Sequence, residues 1–168
     1  MITRAFAMIA GMTGAVGLSQ FPEYSQQYTQ RLGGAVDELS AVVAQFDHDA
    51  AGVGLDRGEA LRQLATAGEF GAARAESMRQ TIARQQRLAG DLAALDGAGP
   101  FMRARLAGHL GDPDIAARAW QAFRPALPVS FEGVTYAAAG FGAGWLALAL
   151  VAGLARRMLR RRPRVVRG

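Results

Sequence analysis

The pattern of apolar and polar positions divides the chain into two apolar stretches and a long amphipathic region between them. The second apolar stretch, residues 134–155, contains no charged residue. A helix of this length reaches about 33 Å, which is enough to cross a hydrocarbon core of about 30 Å. A helix in the core of a water-soluble protein rarely runs so far without a charge. The pattern therefore predicts a transmembrane helix over residues 134–155.

The first apolar stretch, residues 5–21, is close to the lower limit of about 17 residues for a spanning helix. It follows Arg4, and Ala15 and Gly17 would suit the cleavage site of a secretory signal. The small residues are spread through the whole stretch, however, and the polar residues after it continue the helical register. These features favour an uncleaved transmembrane signal anchor over residues 1–21.

Charge is unevenly distributed around the two stretches. Residues 23–132 hold eleven arginines and fourteen acidic residues, a net charge of −3, whereas residues 156–168 hold seven arginines and no acid. Arginines beside a span stay in the cytoplasm. We therefore expect a multi-pass protein of the bacterial inner membrane with both termini cytoplasmic and residues 22–133 in the periplasm.

Residues 156–168 are then a basic cytoplasmic tail. In this position the arginines are expected to orient the second span and to contact anionic lipid headgroups, and no nucleic acid is expected as a partner. The arginines concerned are Arg156, Arg157, Arg160, Arg161 and Arg162.

The exported region has a helical period throughout, and no stretch alternates with period two for long enough to form a strand. One apolar seam has steps of four and three residues and consists of Tyr28, Leu32, Ala35, Leu39, Val42 and Phe46. Phe21 and Tyr24 can extend it toward the membrane. Gly52 and Gly54 are expected to end this helix. The fold class is therefore all-α.

A second helix is predicted after Asp56, which forms an acidic capping-box pattern with Glu59. Its seam keeps the same spacing over about thirty residues and is unusually small, with Gly68, Gly71 and Ala75 in its first half. Two helices joined by a short glycine turn predict an antiparallel, coiled-coil-like hairpin between the two spans.

Two further helices are predicted after this hairpin. Residues 103–110 form a short one, and another begins at Asp112 as N-cap with Pro113 at its first position. The second of these would place Ile115, Ala119, Trp120 and Phe123 on one face.

Small residues at helical spacing mark a packing face in both spans. Gly11 and Gly14 lie in the first span, and Gly140 and Gly144 lie in the second. Such a stripe lets helix backbones approach closely in lipid. The spacing leaves open whether the partner helix is the other span of the same chain or belongs to another subunit.

Residues that carry chemistry are few. His48 lies between Asp47 and Asp49, but three consecutive residues point around a helix and do not converge on a metal. His109 has no neighbour at ligand spacing. The chain has no cysteine, no nucleophile elbow and no HExxH motif. We expect no catalytic residue, no metal site and no cofactor, and thus not an enzyme.

The remaining candidates concern association. A charged helix face carries Arg79, Arg84 and Arg87 with Glu76 and Asp91, and it is either an ordinary solvated face or a docking surface. The candidate interface consists of Leu32, Leu39, Phe46, Gly71, Ala75, Met78 and Trp120.

Residues 19–39 add a resemblance to these patterns. The short span, the Phe-Pro-Glu triplet, the glutamine-rich segment and the Leu-Gly-Gly-x-x-Asp-Glu-Leu run are similar to an uncharacterised family of proteobacterial inner-membrane proteins. That family is a domain of unknown function with two membrane spans. The resemblance extends over nearly the whole chain and implies a membrane location, but no activity.

These observations predict an integral membrane protein that acts by protein–protein interaction, as a homo-oligomer or as an accessory subunit of a membrane complex. Its expected partners are membrane lipids and either itself or another membrane protein. The alternative is a periplasmic binding module for lipid or a small hydrophobic ligand, held between the hairpin and the helix of Trp120.

Overall fold

The computed structural model describes residues 2–125 and 130–160, and the described chain is helical, without a strand. The all-α prediction is confirmed. The α-helices are α1 (Ile2–Ser19), α2 (Phe21–Gly52), α3 (Arg57–Ala65), α4 (Gly68–Leu95), α5 (Pro100–Arg105), α6 (Pro113–Ala122) and α7 (Phe131–Arg160), and a short 3₁₀ helix covers Ala107–Leu110.

The described residues form two compact units. The first, which we call the helix pair, contains residues 2–24, 124–125 and 130–160. The second, which we call the helical domain, contains residues 25–123.

In the helix pair, α1 and α7 run antiparallel, because Gly14 lies opposite Gly140 while the earlier Ala10 lies opposite the later Gly144. Of the described residues, one helix is long and apolar enough to cross a membrane, over Phe131–Ala155 in α7. Only 6% of this apolar segment is buried, whereas the core helix of a water-soluble protein is mostly buried. The transmembrane role of α1 stays a prediction.

In the helical domain, two hydrogen bonds connect α2 to later parts of the chain. The Gln85 side chain donates a hydrogen bond to Ser40 Oγ at 3.1 Å, and the Asp112 backbone N–H donates to the Tyr28 hydroxyl at 3.0 Å. These contacts link α2 to α4 and to the cap of α6, and the antiparallel hairpin stays a prediction. The apolar core contains Tyr28, Leu32, Val36, Val43, Ala50, Ala75, Met78, Leu88, Leu95, Ile115 and Ala119.

The buried face of α2 differs from the predicted seam. Val43 is 5% exposed, whereas the predicted Val42 is 44% exposed, and Val36 is buried beside the half-buried Ala35. Val36, Val43 and Ala50 are spaced by seven residues, so beyond Leu32 the buried face is displaced by one position from the predicted seam. The predicted coiled-coil register is therefore wrong at these positions.

The second predicted helix is also corrected, because it is two helices with a corner between them. α3 ends at Ala65, and α4 begins at Gly68, which has a φ of 82°. This left-handed conformation is readily adopted by glycine and ends the run of helical backbone. Asp56 caps α3 as predicted, since its side chain accepts a hydrogen bond from the Glu59 backbone N–H at 2.7 Å.

The chain after α4 forms short elements. The helix predicted over residues 103–110 is instead α5 followed by the 3₁₀ helix. The predicted cap of α6 is confirmed, because Asp112 accepts a hydrogen bond from the Ile115 backbone N–H at 3.2 Å and Pro113 opens the helix. The predicted face of α6 is only partly right, since Ile115 and Ala119 are buried but Trp120 is 69% exposed.

Candidate functional site

The closest packing in the helix pair is at the glycines of α1 and α7. A Cβ on Gly14 would overlap the carbonyl oxygen of Gly140, and a Cβ on Gly140 would overlap that of Gly14. A Cβ on Gly144 would overlap the carbonyl oxygen of Ala10, and one on Gly11 would lie 2.7 Å from the Phe141 ring. The structure thus brings the four predicted glycines together within one chain.

The other faces of the helix pair are apolar and exposed. Large side chains there include Phe6, Ile9, Met12 and Val16 on α1 and Leu146, Leu150, Val151 and Leu154 on α7. At the end of the pair nearest Phe21, the rings of Phe21 and Tyr136 lie 5.4 Å apart. Among the predicted orienting arginines, Arg156, Arg157 and Arg160 belong to the last turns of α7, whereas Arg161 and Arg162 lie outside the described residues.

The helical domain is held together by polar contacts around Asp112, which is 7% exposed. Its carboxylate accepts a hydrogen bond from Arg84 at 3.0 Å and lies 3.6 Å from Arg87. Arg84 also pairs with Asp114 at 3.1 Å. Two arginines of the predicted charged face of α4 therefore bind the start of α6, so part of this face makes contacts within the domain.

His109 has a partner that the sequence analysis missed. Its Nδ1 lies 2.8 Å from Asp91 Oδ1, and this contact ties the 3₁₀ helix to α4. The two residues are 18 positions apart, on different elements, so ligand spacing within one helix could not reveal the pair. An open cleft beside it is lined by Arg87, Asp91, Gly108, Gly111, Asp112 and Pro113.

The opposite end of the helical domain carries an apolar groove. The groove lies between the end of α2 and α3, has a volume of ≈ 350 Å³, and is open to solvent. Val53, which lines the groove, is 72% exposed, and Phe70, which follows the lining residues in the chain, is 82% exposed. Residues that line the groove include Phe46, Asp49, Ala50, Val53, Leu55 and Leu64.

An ion pair fixes α3 to the end of α2 beside this groove. Arg57 donates two hydrogen bonds to the Asp47 carboxylate, at 2.7 and 2.5 Å. This hydrogen bonding lowers the pKa of Asp47, burial opposes the shift, and the positive charge of Arg57 adds to the lowering. Asp47 therefore serves as the partner of Arg57, and its neighbours His48 and Asp49 are exposed. Within the described residues no His, Asp and Glu cluster is arranged to hold a metal ion.

The predicted interface residues lie in different environments. Leu32, Gly71, Ala75 and Met78 are buried inside the domain, Leu39 and Phe46 are half-buried, and Trp120 is exposed and stacked on Phe123 at 5.7 Å. A Cβ on Gly71 would lie 2.5 Å from the Leu64 carbonyl oxygen, so this glycine packs against the end of α3. The sequence did not identify Phe70 and Val53 as surface residues. Each is a single apolar residue beside a glycine turn and belongs to no periodic apolar seam.

Comparison with known proteins complements this geometry. No curated protein and no solved structure matches the chain. The family model described as a protein of unknown function (DUF2937) matches residues 2–161, which include both apolar helices and the whole helical domain. The chain belongs to this DUF2937 family.

Proposed function

We propose that this protein is a membrane-anchored interaction protein, in which α1 and α7 both cross the inner membrane and the helical domain binds a protein partner in the periplasm. The observation that carries the proposal is the glycine contact between α1 and α7. It joins two helices whose outer faces are covered with large apolar side chains.

Two features of the helix pair support a lipid environment. Exposed apolar side chains in such number are unusual on a water-soluble monomer, whereas in a bilayer they contact acyl chains. Close approach of glycine backbones is the packing that holds helices together where lipid removes the hydrophobic drive for association. The arginines after the second span support a topology in which both termini are cytoplasmic.

The contacts made by the small residues bear on how a partner would bind. Gly140 and Gly144 contact α1 of the same chain, and Gly71 contacts the end of α3. An oligomer or a larger complex would therefore form through other surfaces, and the exposed Val53 and Phe70 offer one on the helical domain. A ligand held between the hairpin and the Trp120 helix has less support, since Ile115 and Ala119 fill that contact and Trp120 faces solvent.

The topology is tested with a reporter enzyme that is active only in the periplasm. Fused in the loop at Gly97, the reporter is expected to be active, and fused after Gly168 it is expected to be silent. The reverse pattern, or activity at both positions, would contradict the two-span proposal. Neutral replacement of Arg156, Arg157, Arg160, Arg161 and Arg162 should produce a mixture of orientations, because positive charge beside the span keeps that end in the cytoplasm.

N-terminal sequencing of the membrane-extracted protein is the companion measurement. The anchor predicts that α1 is retained. A mature protein that begins near Leu18 would show a cleaved signal and leave α7 as the only anchor.

A further inference from the structure

The apolar groove lies at the most acidic part of the helical domain. We call residues 46–70 the acidic end, and this segment contains five acidic residues and two arginines, a net charge of −3. The other residues between 23 and 132 contain nine of each sign and are neutral overall. The net negative charge of residues 23–132 thus lies in the segment that supplies the lining of the groove.

Part of this charge is available to a partner. Asp47 is paired with Arg57, and Glu59 is paired with Arg62. Asp49 lines the groove, its carboxylate accepts only a hydrogen bond from Gln45 at 2.8 Å, and Glu69 is exposed beside Phe70. Among the described residues, neither Asp49 nor Glu69 forms an ion pair.

The acidic end is also accessible. It begins about 30 Å along α2 from Ser25, where the chain enters the domain. The chain enters the domain at the other end of α2, near Tyr28, whose hydroxyl accepts a hydrogen bond from the Asp112 backbone N–H. The groove is therefore distant along α2 from the residue at which the chain enters the domain.

We infer that the groove binds a basic amphipathic helix of a partner protein. The apolar stripe of such a helix would contact Val53, Leu55 and Leu64, and its lysines or arginines would lie beside Asp49 and Glu69. Helix-in-groove recognition uses apolar anchors at helical spacing, and opposite charge at the rim selects the partner and accelerates binding. This inference rests on the proposed interaction function and names the chemistry of the partner.

A second copy of this chain fits the groove less well. A symmetric contact at the acidic end would bring two surfaces of net charge −3 together, and like charges oppose such an approach. Anionic lipid headgroups are disfavoured for the same reason. Both alternatives predict measurable results that differ from those of a basic helix.

The test uses the full-length protein in nanodiscs of zwitterionic lipid and a fluorescent 18-residue peptide with leucines at helical spacing and lysines elsewhere. Two peptides serve as controls: one with glutamate in place of every lysine, and one with the same composition but the leucines dispersed. Fluorescence anisotropy should show binding of the basic amphipathic peptide, weaker binding at high salt, and at least about tenfold weaker binding of both controls. Empty nanodiscs give the background.

Substitutions locate the site. Val53→Asn should weaken binding by about tenfold, and Asp49→Asn or Glu69→Gln should weaken it severalfold. Val42→Asn and Glu38→Gln are matched controls, since both residues are exposed on α2 outside the groove, and both should leave binding unchanged. These surface changes leave the buried core intact, and helicity is followed by circular dichroism.

Three results would overturn the inference: equal binding of the acidic peptide, binding that Val53→Asn does not alter, or self-association of the wild-type protein that Val53→Asn abolishes. Absence of peptide binding would overturn it as well. The periplasmic reporter tests the proposed topology, and its result does not depend on these binding measurements. A silent reporter at Gly97 with intact peptide binding would remove the proposed topology and leave the groove assignment standing.

Discussion

The hydroxyl of Tyr28 accepts a hydrogen bond from the backbone N–H of Asp112 at 3.0 Å, across 84 positions of sequence. Tyr28 is fully buried, and the Asp112 side chain at the same point caps α6 and binds Arg84. One contact therefore joins the first helix of the domain to the last and orients the cap of α6.

Tyr28→Phe should destabilise the helical domain by about 1–3 kcal/mol, because the Asp112 N–H would be left buried without a partner. Hydrogen exchange followed by mass spectrometry should show faster exchange at the start of α6. The control is Ser77→Ala, which removes an exposed hydroxyl bonded to the Ala73 carbonyl and should change stability by less than about 0.5 kcal/mol. Equal protection of α6 in wild type and Tyr28→Phe would contradict the linking role of this hydrogen bond.

Local chemistry made several helix ends predictable from the sequence. α2 ends at Gly52, Asp56 caps α3, and Asp112 with Pro113 opens α6. Each of these signals depends on a few adjacent residues and their own hydrogen bonds.

Contacts between elements were not predictable in the same way. The His109–Asp91 and Arg84–Asp112 pairs join residues 18 and 28 positions apart, and their meeting depends on how the chain turns after α4. The corner at Gly68 was missed because its glycine fits the spacing of an uninterrupted small-residue seam. Only the backbone conformation of Gly68, with a φ of 82°, distinguishes a corner between two helices from one continuous helix.

Two glycines of α4 should respond in opposite directions to the same substitution. Gly71→Ala is expected to destabilise the corner between α3 and α4 by about 1–3 kcal/mol, since the new Cβ would lie 2.5 Å from the Leu64 carbonyl oxygen. Gly90→Ala meets no atom within 4 Å and should stabilise the exposed helix by up to about 1 kcal/mol. The measurement is the thermal unfolding midpoint of each variant, followed by circular dichroism. Stabilisation by both changes would show that the corner is loosely packed.

The Asp47–Arg57 pair should make stability depend on pH in acid. Folding lowers the pKa of Asp47 through the hydrogen bonds from Arg57. The stabilisation is therefore complete above the ordinary aspartate pKa of about 3.9 and is lost as the pH falls through the lowered value. Both side chains are about 40% exposed, so the effect should stay below about 1 kcal/mol.

The measurement for this pair is the unfolding midpoint between pH 2 and pH 6. Asp47→Asn should lower the midpoint at pH 6 and reduce its dependence on pH below 4. Asp37→Asn changes an exposed carboxylate of the same helix and serves as the control. If both variants follow the wild-type curve, the pair contributes nothing measurable to stability.

The last prediction concerns the glycines that join α1 to α7. Gly140→Leu combined with Gly144→Leu should separate the two helices, because side chains there would overlap the carbonyl oxygens of Gly14 and Ala10. Both changes raise hydrophobicity, so insertion of α7 should be retained. Gly142→Leu is the control, since a Cβ at this position meets no atom within 4 Å.

Pairing is measured by disulfide formation between Ala7→Cys and Leu148→Cys, two positions that line the same groove between α1 and α7. The chain has no cysteine of its own, so the engineered bond is unambiguous. Overpacking by about 1–3 kcal/mol should lower the paired fraction severalfold in the Gly140 and Gly144 variant and leave the control unchanged. Cross-links that survive unchanged in the Gly140→Leu and Gly144→Leu variant would show that the glycines do not hold the helices together. Cross-links found only between chains would assign the same glycine face to a second subunit, which is the alternative that the spacing of the small residues left open.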